Sequence, residues 1–420
     1  MKKITKYIIR ILNMTRFYTN TTFKQKIHSI PEPEIHLPKP EYNIEFLCNP
    51  LNRDLIADNI KKRKSSGNID KVLEFHRKAN SKKLFEELSK IPNLTQSTTM
   101  KYLENIPTIL RIIGNLPKYD FKAKEFSNIA TNLNLLINNH LGPVTGSRSY
   151  VLIGDLAELE QALIMYTIKE LLSHNFHLVS VPDILPSQIL ERCGLINDGD
   201  RKLVYEIEPY YGNVFSLSGT AEMALAYKLS NKVFSYDELP IKLVAVSRCY
   251  RAEISNLVEE RGIYRVHQFT KVEMFVASEQ KHSIKIMEEI ISIQEKLFGQ
   301  LNLHCKLLDM PSNELGSSAY RKIDIEAWMP GRARFGEISS CSNCTDYQSR
   351  RLSIKYKNSN GIIIHAHTLN GTACAIPRML IAICETYQLS NGDIMVPEYL
   401  KHFMNKKSII RKQNIPSVKY

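Results

Sequence analysis

No run of 18 apolar residues free of charge interrupts this 420-residue chain, which excludes an apolar membrane-spanning helix. Seventeen glycines and eighteen prolines are too few for a collagen-like or low-complexity protein. With 43% apolar and 24% charged residues, the composition is that of a globular chain of two or three domains. The eight cysteines show no disulfide rhythm, and Cys341-Ser-Asn-Cys344 is a lone C-x-x-C without a second pair, so no zinc site is expected. Also missing are a G-x-x-x-x-G-K-[ST] loop, a strand–G-x-G-x-x-G–helix unit, H-E-x-x-H and G-x-S-x-G. If the chain uses a nucleotide, side chains rather than a glycine-rich loop must hold the phosphates.

Acidic residues are absent before Glu32, while seven Lys and Arg fall in that stretch. Ile4, Ile8, Ile11 and Leu12 recur there at helical spacing, and Arg10 interrupts what would be the apolar core of a secretory signal. A basic, Thr-rich, acid-free amphipathic segment ending near Arg16-Phe17-Tyr18-Thr19 fits a mitochondrial transit peptide over residues 1–31, hence an organelle-matrix protein. The net charge of +13 divides unevenly: +11 in residues 1–140, −4 in 141–400 and +6 in 401–420. Basic ends around a near-neutral middle point to a polyanion such as nucleic acid.

Five prolines between 31 and 50 mark residues 32–51 as a linker. Over residues 52–140 the pattern is helical, with Ile69, Val72, Leu73, Leu84, Leu88 and Ile91 at three- and four-residue steps. Pro92-Asn93 breaks it, and a second helix is expected from Thr98 towards Ile113, giving an antiparallel helical hairpin. Its Lys61–Lys64 cluster is either a solvated face or a phosphate contact. From 141 to 400 the composition changes. An amphipathic helix, Leu156–Leu172, leads to a strand ending at Pro182. Apolar runs at Val214–Leu217, Lys242–Ser247, Val272–Ala277, Ile323–Ala327 and Ile362–His365 then outnumber helices such as Glu279–Leu297. Strands in excess of crossover helices predict an antiparallel or mixed sheet and an α+β fold. Residues 401–420 form a basic tail.

Two segments carry chemistry. Val244–Glu253 reads as a strand ending in Arg251-Ala252-Glu253, and Arg265-Val-His-Gln-Phe269-Thr-Lys-Val-Glu273 starts a return strand. Alternation puts Arg251 with Glu253, and Phe269 with Glu273, on common faces. An Arg fork suits a phosphate, and an aromatic ring suits a purine. In the second segment, Leu369–Gln388 reads as strand, turn and helix, with Arg378 in the helix's first turn, where an anion would explain a basic residue.

In these residues the chain resembles the class II aminoacyl-tRNA synthetases, and among them the seryl-tRNA synthetases of mitochondrial type. The likeness covers about residues 52–400 and rests on five ordered matches: Gly146-Ser-Arg-Ser-Tyr-Val-Leu-Ile-Gly-Asp155, Ser218-Gly-Thr-Ala-Glu222, the Arg251–Glu273 block, Glu337-Ile-Ser-Ser-Cys-Ser-Asn343 and Asn370–Arg378. The resemblance implies an antiparallel catalytic sheet flanked by helices, a homodimer with a contact near Pro182, and a helical arm reaching for serine tRNA. It implies L-serine contacts from Thr220, Ala221, Glu222, Glu273, Asn370 and Thr372. For ATP it implies Arg251, Ala252, Glu253, Val266, His267, Gln268, Phe269, Glu337, Ile338, Ser339, Ser340 and Arg378, with Glu337 and Ser340 holding Mg²⁺. Arg251 would clamp the α-phosphate and Arg378 the γ-phosphate. The implied reaction is ATP-dependent ligation of serine to its tRNA. The alternative is a synthetase-like RNA-binding protein that has lost catalysis, and a threonine-specific relative is a third reading.

Overall fold

The computed structural model describes residues 36–138, 145–146, 148–195, 204–207, 214–254, 257 and 260–415. The expected transit peptide lies outside them, as do the first residues of the linker and the last five of the tail.

An eight-stranded sheet organises the chain. In chain order its strands are β1 (Thr108–Ile113), β2 (His177–Leu178), β3 (Ile241–Tyr250), β4 (Gln268–Ser278), β5 (Cys305–Asp309), β6 (Arg321–Met329), β7 (Arg334–Thr345) and β8 (His367–Ala375). They lie side by side as β1-β5-β6-β7-β8-β4-β3-β2. Every pairing is antiparallel except the short β2–β3 contact at one edge. The α+β expectation holds.

The labelled helices are α1 (Arg53–Lys62), α2 (Ile69–Arg77), α3 (Ser81–Lys90), α4 (Asp155–Ser173), α5 (Ala221–Lys228), α6 (Ser283–Gln300) and α7 (Ile376–Thr386). Alternation along β4 sorts its side chains between two cores. Val272, Met274 and Val276 join the main core with apolar residues of α4, α6 and α7. Phe275 and Ala277 join a smaller core with Ala221, Leu225 and other residues of α5. Helices thus cover one face of the sheet throughout, and the other only in part. The uncovered part is where the polar residues of β4, β7 and β8 converge.

The N-terminal segment corrects the expectation of a two-helix antiparallel hairpin. Three short helices replace it, because left-handed Lys64 (φ 52°) and Ala79 (φ 50°) end α1 and α2 and asparagine N-caps start α2 and α3. Asn68 accepts from the Lys71 N–H (3.1 Å) at the start of α2, and Asn80 accepts from the Lys83 N–H (3.2 Å) at the start of α3. The apolar stripe is still an internal seam: Ile56, Ile60, Ile69, Val72, Leu84, Leu88 and Ile91 bury one another. Thr108–Ile113, expected at the end of a helix, is strand β1, paired with β5. Its Thr-Ile-Leu-Arg-Ile-Ile composition is β-branched, and the open sheet edge decides the outcome. Nor is the Lys61–Lys64 cluster a uniform solvated or phosphate-binding face. Lys62 pairs with Asp58, Lys64 pairs with Glu104, and Arg63 is buried.

Residues 401–415 fold back onto the body. Ile409–Ile410 pairs with Ile394–Met395, Lys407 Nζ meets Asp155 at 2.5 Å and Glu158 at 2.8 Å, and Gln413 donates to Asp155 at 2.6 Å.

Candidate active site

The site is built on β3, β4, β7, β8 and the start of α7. Phe269, Lys271 and Glu273 follow one another at two-residue steps on β4, so they share a face. Glu273 stands opposite Thr372 of β8, whose hydroxyl donates to its carboxylate at 3.1 Å. On β7, Glu337 and Ser340 are three residues apart, and simple alternation would set them on opposite faces. Glu337 pairs with Glu326 and Ser339 with Ile325, so Ile338 is an extra residue in the strand. This bulge brings Glu337 and Ser340 to the same face. No turn separates β8 from α7: the strand ends at Ala375 and the helix starts at Ile376, which places Arg378 over the end of the sheet.

Between these elements lies a cavity open to solvent, with about 580 Å³ of free space, walled by Arg251, Glu253, Phe269, Glu337, Ser340 and Arg378 among others. A second cavity of about 910 Å³ adjoins it, sharing Arg251, Glu253 and Arg265 as a partition and containing Thr220 and Glu222.

Within the first cavity the charges are already engaged. Arg378 Nη1 lies 3.1 Å from Glu337 Oε2, and its guanidinium lies 4.7 Å from the centroid of the Tyr264 ring. Burial alone would raise the Glu337 carboxyl, but the charges of Arg378, Lys322 and Arg251 outweigh it and hold the group well below the usual carboxylate range. An ionised carboxylate beside the Ser340 hydroxyl is a hard oxygen donor pair that fits a magnesium ion shared with a polyphosphate. The Arg251 guanidinium lies 5.3 Å from the Phe269 centroid, over the face expected to receive a purine. Glu253 accepts from Arg265 Nη1 with both oxygens at 3.1 Å. Lys271 and Glu273 form a buried ion pair at 2.5 Å.

In the second cavity, Glu222 Oε1 accepts from Gln348 Nε2 (2.6 Å) and from Asn370 Nδ2 (2.8 Å). Burial, reinforced by the nearby Glu273 charge, pushes Glu222 up to about 7. Thr220 caps α5, its hydroxyl accepting from the Glu222 N–H at 3.3 Å, and Ala221 is buried at the start of that helix.

The structure therefore gathers most of the expected residues at two adjoining cavities rather than one pocket, while Glu273 and Asn370 line neither and reach them through Thr372 and Glu222. Val266, Ile338 and Ser339 also line the first cavity. Ser339 is spent on a hydrogen bond to the Thr372 carbonyl (2.5 Å). Ala252 lies between the partition residues Arg251 and Glu253. His267 accepts from or donates to Tyr205 OH at 2.8 Å, while Gln268 is exposed. The Gly146–Asp155 match reaches the site through Arg148, whose guanidinium donates to the Arg265 carbonyl at 3.0 Å and whose own carbonyl accepts from the His267 N–H at 3.1 Å.

Four contributors were missed from sequence: Tyr264, Arg265, Lys271 and Gln348. Lys271 had a signal, its alternation with Phe269 and Glu273. Gln348 had none, because it meets Glu222 only across 126 residues of chain. Among the described residues no group of three His, Cys, Asp or Glu side chains is arranged to hold a metal, and Cys341 and Cys344 are buried free thiols.

A family profile described as the tRNA synthetase class II core domain (G, H, P, S and T) matches residues 205–387. The mitochondrial serine–tRNA ligase of Mus musculus is 39% identical over 335 residues, 79% of this chain but 65% of that protein, so the chain spans just under two thirds of its length. The mitochondrial serine–tRNA ligase of Saccharomyces cerevisiae is 40% identical over 377 residues, 86% of this chain and 84% of that one. A crystal structure of the cytoplasmic serine–tRNA ligase of Naegleria fowleri in complex with AMP superposes with a TM-score of 0.80 at 28% identity, covering 90% of this chain and all of that one. The seryl-tRNA synthetase of Pyrococcus horikoshii, complexed with ATP, gives 0.76 at 29% identity over 88% and 90% of the two chains.

Proposed function

Because the chain belongs to the serine–tRNA ligase family of class II tRNA synthetases, we propose that it activates L-serine with ATP and transfers the seryl group to a serine tRNA in mitochondria. The observation that carries this reading is the meeting of Arg251, Glu337, Arg378 and Thr372 at one cavity, with Glu273 bonded behind Thr372, and Glu222, bonded to Asn370, in the cavity beside it. ATP occupies the first cavity. Its adenine displaces the Arg251 guanidinium from the Phe269 ring, leaving Arg251 to hold the α-phosphate while Arg378 holds the γ-phosphate. Glu337 and Ser340 would hold Mg²⁺, which would supply positive charge against the phosphate oxygens. Glu273 faces the ammonium of serine, and Thr220, Glu222, Asn370 and Thr372 supply its remaining polar contacts.

Serine's carboxylate is already ionised at neutral pH, so no general base is required. A carboxylate oxygen attacks the α-phosphorus, the bond to the bridging oxygen breaks, and pyrophosphate leaves. A 3′-terminal hydroxyl of the tRNA then attacks the carbonyl carbon of the seryl-adenylate, and AMP leaves. Positioning and charge neutralisation by the arginines account for the first step. Alanine lacks the hydroxyl, and buried acceptors left unpaired disfavour it by roughly 1–3 kcal/mol each.

The enzyme works as a homodimer. Exposed Met165, Leu172, Leu178 and Ile184 along α4, β2 and the following strand support a partner there, and a monomer in sedimentation analysis rejects it. Serine-dependent ATP–pyrophosphate exchange tests the activity. Exchange is expected with serine. Exchange with threonine alone reassigns the substrate, and none with either amino acid from folded protein leaves the non-catalytic RNA-binding reading.

A further inference from the structure

Five consecutive carbonyls, Gly316 to Tyr320, each accept a hydrogen bond from the N-terminal helical segment. Gly316 O accepts from Arg63 Nη2, and Ala319 O from Arg63 Nη1 at 2.8 Å. Ser317 O accepts from the Asn93 backbone N–H and Ser318 O from Asn93 Nδ2, both at 2.8 Å. Tyr320 O accepts from the Gln96 N–H at 3.0 Å. Residues 316–319 belong to no helix or strand, so these bonds set their position.

The donors are themselves held. Arg63 ends α1 and is only 6% exposed, and its Nη1 also donates to Thr95 Oγ1 at 3.1 Å. Asn59 of α1 donates to the Asn93 carbonyl and accepts from the Thr95 N–H, both at 3.0 Å. Asn93 Nδ2 further reaches Cys344 O at 2.8 Å and Thr345 Oγ1 at 2.9 Å, where β7 ends. On its other side the loop is a wall. Gly316, Ser317 and Ser318 line the second cavity together with Thr220, Glu222 and Arg251. Gly194, at φ 101°, packs so closely that a Cβ there would meet Ser318 at 3.0 Å.

We propose that Arg63 and Asn93 are positioning residues of the serine site. Through them the N-terminal segment sets the Gly316–Ala319 wall against Thr220 and Glu222, while β7 holds the end of the loop through the Tyr320 N–H to the Asn343 carbonyl at 2.7 Å. The segment that replaces the expected arm is then a structural part of the amino-acid pocket. This inference rests on the serine-activating reading above.

The test uses the full chain, with Arg63→Ala, Arg63→Lys and Asn93→Ala made separately. In serine-dependent ATP–pyrophosphate exchange, Arg63→Ala and Asn93→Ala are expected to raise KM for serine roughly tenfold, with kcat per active site and KM for ATP within about twofold, the pattern of lost ground-state binding. Arg63→Lys keeps the charge but not the fork, and is expected to restore part of the loss. Active-site titration and the thermal midpoint are measured alongside. A fall in midpoint or active fraction with KM for serine unchanged overturns the proposal, because support of the fold alone would give that pattern. If Arg63→Ala is insoluble, Asn93→Ala and Arg63→Lys decide by the same criterion. Wild-type protein without serine-dependent exchange defeats the underlying reading. Active wild type with variants unmoved in KM defeats only this inference.

Discussion

Arg251 stands on the partition between the two cavities, the position where a single charge can meet both ATP and the attacking carboxylate. Removing one preorganised donor of this kind costs about 10²–10³ in rate. Arg251→Ala is therefore expected to lower serine-dependent exchange by at least about a hundredfold. Because the side chain lies between the two cavities against Phe269 and outside the apolar core, the thermal midpoint should stay near that of the wild type. Near-normal exchange would refute the clamp. Glu222 gives a prediction of a different kind. Its carboxyl is held at about 7 in the folded protein, above the ordinary 4.5, because burial and then Glu273 disfavour its charged form. The folded state thus prefers the protonated group. Its contribution to stability is complete below 4.5 and is lost as pH rises through about 7. Glu222→Gln keeps the oxygen that Gln348 and Asn370 donate to and removes the titration. Between about pH 5 and about pH 8 the variant should gain on the order of 1–3 kcal/mol relative to wild type in urea unfolding. A difference that does not change with pH would show that Glu222 does not titrate in this range.

Strands β4, β7 and β8 hold the site because two irregularities align their faces. One is Ile338 in β7. The other is Ala373 in β8, which lets Glu273 meet Thr372 after Val272 has paired with Cys374. Between Asn370 and Thr372, Gly371 leaves the room that α6 needs. A Cβ there would lie 2.7 Å from Ile290 Cγ2 and 3.2 Å from the Met274 methyl, both in the main core. Gly371→Ala is expected to destabilise the protein by about 1–3 kcal/mol through overpacking. It should also raise KM for serine, since Asn370 and Thr372 flank the displaced backbone. Urea unfolding and exchange kinetics check the two effects, and an unchanged midpoint would mean that α6 yields without strain. Lengths and caps were the least legible feature at this scale. The apolar stripe from Ile69 to Ile91 was readable and is buried as expected, but it does not reveal that Asn68 and Asn80 divide it into short helices. Apolar spacing is also compatible with several backbone paths, so Thr108–Ile113 read as helix until β5 offered it a strand partner.

For the whole molecule, the uneven charge keeps its meaning while its bearers change. In the tail, Lys407 is committed to Asp155 and Glu158, and Arg411 faces Asp393. On the N-terminal helices, Lys71, Arg77 and Lys82 are exposed with no ion pair among the described residues. They are better placed than the tail to meet tRNA phosphates. Replacing these three with alanine is expected to raise KM for tRNA and to flatten its dependence on log salt by about one unit per charge removed. Serine-dependent exchange, which needs no tRNA, reports on the fold of the same protein. An unchanged salt slope would move the tRNA contact elsewhere. The sequence by itself determined the chemistry. Arg251, Phe269 and Arg378 are residue types that suit a phosphate or a purine, five ordered matches carried the resemblance to the family, and the excess of strands over crossover helices predicted an antiparallel or mixed sheet in an α+β fold. Only the tertiary structure decided how those groups are shared between two cavities, that Lys271, Arg265 and Gln348 complete them, and that Arg63 and Asn93 hold one wall. The relations of Gln348, Arg63 and Asn93 join residues a hundred or more positions apart, and the alignment of Glu337 with Ser340 depends on a single-residue bulge. A periodic pattern encodes which face a side chain takes within one element, and carries nothing about which distant backbone will complete its hydrogen bonds.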